Sequence, residues 1–125
     1  MNDTTRMLCG KEIVDCALEK MIEKKAENIV VFNPGVQSEI AEYILLCQGE
    51  SDVQNRAISH AIVDYLHSKN NPVWLKEGVD DGRWILLDYS DVLVNIMLPD
   101  VRGYYNLDEL WKAYPKEIII DKNEY

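Results

Sequence analysis

The chain has 125 residues, 47% hydrophobic and 28% charged, which is enough for one domain with a real core and excludes a disordered chain or two ordinary domains. Its 13 basic and 22 acidic residues leave a formal net charge of −9. That balance argues against binding built on phosphate neutralisation or an anionic membrane surface, and favours a basic partner.

The first six residues are polar, so no secretory signal is expected there. The longest apolar runs, Tyr43–Cys47 and Val92–Leu98, fall well short of the roughly 20 residues that cross a bilayer. Cys9, Cys16 and Cys47 form no CxxC pair. Unpaired thiols point to a reducing cytoplasm, and without short-spaced Cys or His pairs no structural zinc site is expected.

Ile13, Val14, Ala17, Leu18, Met21, Ile22 and Ala26 recur at three-to-four spacing and predict a helix over 11–27. Ile29–Phe32 has the length and branching of a buried strand, stopped by Asn33-Pro34-Gly35. The stretch 36–42 is ambiguous, with room for a helical turn. Tyr43–Cys47 reads as a second strand closed by Gly49. Ser51 and Gln54 form the capping-box pattern that opens a second long helix. Asn70-Asn71-Pro72 ends it, because a helix rarely continues into the residue before proline.

Three short strands are predicted next, Val73–Lys76, Trp84–Tyr89 and Val92–Leu98. Gly78 and Gly82 suit the first connection, and Ser90-Asp91 the hairpin between the last two. Asn106 with Glu109 reads as a capped helix running to Trp111. The triplet Ile118-Ile119-Ile120 is a candidate for one further strand. The predicted fold is α/β: one domain with a mixed, about five-stranded β-sheet packed with helices. A core domain is expected over 11–114, with an N-terminal extension of 1–10 and a C-terminal tail of 115–125.

The last hairpin carries the most information about function. An even-numbered loop places Ile85, Leu87 and Tyr89 on one face with Val92, Val94 and Ile96. That face is uniformly apolar and belongs under the helices. The opposite face combines Trp84, Leu86 and Asp88 with Leu93, Asn95 and Met97. A solvated face would carry Lys, Glu and Thr, and a sealed one would rarely hold Asp88 beside Asn95. Large apolar anchors around a few polar groups are typical of protein interfaces. The alternative is a covering helix with Asp88 bonded to a neighbouring amide. Arg102, Tyr104 and Tyr105 follow the hairpin and would enlarge the same patch.

The run Trp84–Asp91, then Val94-Asn95-Ile96, then Arg102–Trp111 closely resembles the ribosomal silencing factors, the Iojap-like family. The resemblance extends upstream through Lys25–Val30, Glu42-Tyr43, Gly49–Asp52 and Glu77-Gly78, and spans roughly residues 12–112. It implies a cytoplasmic, often dimeric protein of nucleotidyltransferase-like topology with no established catalytic activity; neither an enzyme nor a cofactor is expected. It implies binding to large-subunit ribosomal protein fourteen, a basic protein on the joining face of the large ribosomal subunit. The bound factor would bar the small subunit and so repress translation; large-subunit assembly is the alternative role. Carried over by position, the partner-binding residues are Trp84, Leu87, Asp88, Tyr89, Arg102, Tyr104 and Tyr105. The pairing register puts Leu87 and Tyr89 on the core side. The chain departs from the family's usual His, Asp and Glu at Asn95, Asn28 and Asp108.

Two rival chemistries are weaker. A nucleotidyltransferase needs a glycine-serine turn and an Asp-x-Asp pair on a strand to hold Mg²⁺. Gly49-Glu50-Ser51 is present, but only Asp80-Asp81 and Asp88/Asp91 stand near the place of that pair. Three residues at His60, Asp64 and His67 on one helix stripe converge poorly on a single metal ion.

Overall fold

Residues 7–121 are described in the computed structural model of the chain. Helix α1 (Gly10–Glu23) buries Ile13, Val14, Ala17 and Met21, the predicted stripe. It ends at Glu23 rather than residue 27, because Lys25 turns left-handed (φ 63°). The Lys25 N–H then donates to Ile22 O and the Ala26 N–H to Met21 O, a Schellman closure that satisfies the last carbonyls without glycine. Strand β1 (Glu27–Phe32) leaves at once. Strand β2 (Tyr43–Gln48) follows a connection that forms turns and no helix.

Helix α2 (Asp52–Ser68) opens as its sequence predicts: Ser51 Oγ accepts from the Gln54 N–H at 3.0 Å. Gln54 Oε1 accepts from Glu50 N, one residue earlier than a standard capping box. Its Nε2 also donates to the carbonyls of Lys24 and Lys25, which ties the start of α2 to the end of α1. Asn70 takes the left-handed position after the helix (φ 60°).

Strands β3 (Leu75–Glu77), β4 (Trp84–Asp88) and β5 (Val92–Met97) come next, then helices α3 (Pro99–Tyr105) and α4 (Leu107–Leu110), then β6 (Lys116–Ile120). Among the described residues the strands form one six-stranded sheet in the order β3-β4-β5-β2-β1-β6. Only the central β2–β5 pair is parallel; the others are antiparallel. The candidate strand near the C-terminus is therefore an edge strand of this sheet, and residues 116–120 pair with β1.

Helices α1 and α2 cover one face. Met21, Ile58, Ile62, Leu66, Ile85, Leu87, Val92, Val94 and Ile96 are each fully excluded from water there. Burial of each large aliphatic side chain contributes about 1.5–3 kcal/mol relative to exposure. The second face has a smaller cluster of Val30, Phe32, Ala41, Ile44, Leu46, Met97, Val101 and Leu107. It lies under α3 and α4, over β1, β2 and the end of β5. At the β3–β4 end that cover runs out.

Candidate docking surface

The open end of the second face is built by the β4–β5 hairpin in the predicted register, Trp84 opposite Met97, Leu86 opposite Asn95 and Asp88 opposite Leu93. Strand β3 extends the rows, placing Glu77 beside Leu86 and Leu75 beside Asp88. Gly78 makes the turn before β4 possible: it has φ 77°, and a Cβ there would lie 2.1 Å from the Trp84 carbonyl oxygen. The same loop is strapped to α2 by Asn55 Nδ2, which donates to Gly82 O at 2.8 Å.

Trp84 is half-buried. Its indole Nε1–H donates to Asn95 Oδ1 at 2.9 Å, and its ring lies 4.9 Å from the Tyr105 ring, tilted by 51°. Tyr105 meets Tyr104 edge-on at 5.0 Å. The two tyrosines are 54% and 82% exposed, so the ladder climbs from the sheet into solvent. It separates two hollows. One, of about 410 Å³, is lined by Arg83, Asp100, Val101, Tyr104 and Tyr105; the other, of about 390 Å³, by Glu77, Gly78, Trp84 and Leu86. Asp88 is half-buried, with Oδ1 accepting from Ser90 N at 2.7 Å. The neighbouring-amide contact weighed as the alternative for Asp88 therefore forms, yet no helix among the described residues covers it.

Arg102 ties α3, the helix that carries both tyrosines, to β1, β2 and α4. It is only 8% exposed, and its guanidinium grips Asp108 with two parallel bonds, Nε to Oδ2 at 3.0 Å and Nη2 to Oδ1 at 2.9 Å. Its Nη1 donates to Asn28 O at 2.6 Å and to Gln48 Oε1 at 3.3 Å. Asn28 presents that carbonyl from a left-handed conformation (φ 47°) beside a register shift in β1. The hydrogen bonds from Arg102 hold the Asp108 carboxyl below the usual carboxylate range.

Comparison with known proteins agrees with this architecture. Residues 10–124 match the family described as "Ribosomal silencing factor during starvation". The chain belongs to the ribosomal silencing factor family. It is 38% identical over 105 residues to the ribosomal silencing factor of Bacillus subtilis, covering 84% of this chain and 89% of that one. Over 108 residues it is 34% identical to that of Halalkalibacterium halodurans, covering 86% and 92%. The mouse "Mitochondrial assembly of ribosomal large subunit protein 1" is 25% identical over 101 residues, covering 78% of this chain and 44% of that protein. A crystal structure from Chromobacterium violaceum superposes with a TM-score of 0.80 at 25% identity, covering 94% and 98% of the two chains. One from Bacillus halodurans gives 0.76 at 32%, covering 88% and 100%.

Within this ribosomal silencing factor, three of the seven residues carried over from the resemblance offer no docking surface. Leu87 is fully buried against the α1/α2 layer, and Tyr89 is 6% exposed in the same cluster; strand alternation sends both to the face opposite Trp84. Arg102 points inward to Asn28, Gln48 and Asp108. Trp84, Asp88, Tyr104 and Tyr105 remain accessible and share one side. Helix α3 was missed by the sequence reading, though Pro99 at its first position and Asp100 in its first turn were available signals. The predicted Asn106 side-chain cap does not form; Asn106 is left-handed (φ 51°) and joins α3 to α4 through its backbone.

Ser51 caps α2; His60, Asp64 and His67 are exposed along α2. Among the described residues, no three His, Cys, Asp or Glu side chains come together as a metal site. Full burial pushes the Cys47 thiol up to about 12, making it a core side chain rather than a nucleophile. Among the described residues no helix is long and apolar enough to cross a membrane.

Proposed function

We propose that the protein docks on the large ribosomal subunit through Trp84, Asp88, Tyr104 and Tyr105, with large-subunit ribosomal protein fourteen as its contact. Once seated, its bulk excludes the small subunit from the joining face and represses translation in the cytoplasm. No bond is made or broken; two bodies cannot share the volume. The observation that carries this reading is the aromatic ladder Trp84–Tyr105–Tyr104, left open at the one end of the second sheet face that α3 and α4 do not cover. Aromatic anchors of this kind dominate binding energy when desolvated. The acidic chain supplies long-range attraction to a basic partner, which speeds encounter and makes it salt-sensitive.

The deciding experiment is reassociation of purified subunits, followed on a gradient with protein added. Joined ribosomes should fall as protein approaches saturation. An unchanged joined peak at saturation would count against the reading. A role in large-subunit assembly is the second reading, favoured by the printed name of the mouse relative. It predicts accumulation of large-subunit precursors on depletion, with subunit joining in the purified system unaffected.

A further inference from the structure

Asn95 is 3% exposed and sits among aliphatic neighbours, with Leu86 opposite on β4 and Leu46 opposite on β2. A buried amide in that setting needs partners for both of its ends. Its Nδ2 donates to the Leu45 carbonyl at 3.4 Å, across the parallel strand pair. Its Oδ1 accepts from the Trp84 indole at 2.9 Å. Both partners are chemically one-sided. A carbonyl can only accept and an indole N–H can only donate. The amide orientation is therefore dictated, and the side chain at 95 must present a donor to one strand and an acceptor to the other. A carboxylate would set oxygen against the Leu45 carbonyl. An aliphatic residue would leave the indole N–H without a partner.

From this we infer that Asn95 is a positioning residue of the docking surface, holding the Trp84 indole in one orientation before a partner arrives. The inference rests on the docking role proposed above. Trp84 lies diagonally across the β4–β5 pair from Asn95, within reach of a long aromatic side chain. The indole is held at its N–H edge by Asn95 and against a ring by Tyr105. Two contacts on different sides of one ring select a single rotamer. A pre-set anchor avoids the ordering cost that a swinging indole would add to every binding event.

The test uses the full chain with ¹⁵N-labelled indoles, and isolated large subunits as the probe. In the unsubstituted protein the Trp84 indole N–H, assigned by its disappearance in Trp84→Phe, should exchange with solvent at least about tenfold more slowly than that of Trp74, because a hydrogen-bonded N–H must open first; Trp74 is 75% exposed. Asn95→Leu keeps the branched side-chain shape and removes the acceptor. Its Trp84 N–H should exchange near the Trp74 rate, and large-subunit affinity should fall about fivefold to tenfold, the scale of one lost orienting hydrogen bond. Equal exchange at Trp84 and Trp74 in the unsubstituted protein overturns the inference, and that measurement decides even where Asn95→Leu fails to fold. A folded Asn95→Leu that binds at full affinity overturns it as well. Trp84→Ala, run alongside, separates the two ideas. Binding lost in Trp84→Ala but kept in Asn95→Leu sinks the positioning role alone. Binding kept in both sinks the docking surface with it.

Discussion

The α1/α2 face and the α3/α4 face are made by the same strands, yet only the first is sealed. Along β4, Ile85 and Leu87 are fully buried while Trp84, Leu86 and Asp88 are half-exposed. The difference lies in the covering layer. Helices α1 and α2 run 14 and 17 residues, roughly 20–25 Å at 1.5 Å per residue, long enough to lie across most of the sheet. Helices α3 and α4 have 7 and 4 residues and reach only part of it. What the short helices leave bare is aromatic and acidic rather than Lys- and Thr-rich, so an uncovered face and a solvated face are different things.

Substitutions on the two faces should behave in opposite ways. The largest effect is expected at Leu87→Ala on the sealed face. It should cost about 3 kcal/mol of stability, seen as a fall in Tm of roughly 10–20 °C, while the protein that remains folded still binds large subunits. Trp84→Ala should reverse the pattern, weakening large-subunit binding by about thirtyfold with a small change in Tm. A Trp84→Ala protein that melts as early as Leu87→Ala would erase the distinction between the faces.

Asp108 tests what holds α3 over the sheet. Its carboxyl pKa is lowered in the folded state, chiefly by the hydrogen bonds from Arg102. The stability this lends is fully present above the ordinary carboxylate value near 4 and is lost as pH falls through the lower folded value. Because Asp108 is half-exposed, Asp108→Asn should cost only about 1 kcal/mol at neutral pH. Urea titrations from pH 7 to pH 2 should show a shallower acid-side decline for the variant. The smallest effect belongs to Tyr104→Ala at the outer end of the ladder. It should leave Tm unchanged within error and weaken co-sedimentation about threefold, as rim contacts do.

Much of this was legible in the chain. The stripe from Ile13 to Met21 announced α1, the Ser51/Gln54 cap and the Asn70-Asn71-Pro72 stop bounded α2, and two-residue alternation assigned every β4 and β5 side chain to its observed face. Each of these signals is local, so it survives without knowledge of neighbours. Other features were not local. Arg102 looks like a surface cation beside two tyrosines, and only folding brings Asn28, Gln48 and Asp108 around it. Asn28 and Asp108, far from each other in the chain, are both partners of that one guanidinium. In the same way Asn95 becomes the partner of Trp84 only across the hairpin.

The sequence by itself determined the class of fold, the two sides of the hairpin and the family, because periodicity, caps and turn residues act over a few positions. It could not decide which way Arg102 faces: a guanidinium carries the same chemistry whether buried or bare, and only the resemblance, against the pairing register, had set Leu87 and Tyr89 on the docking side. Nor could it set the extent of the cover, since that follows from where the short α3 and α4 come to rest on a sheet whose strands meet out of chain order. Those outcomes depend on contacts between residues far apart in the chain, and the tertiary structure alone supplies them.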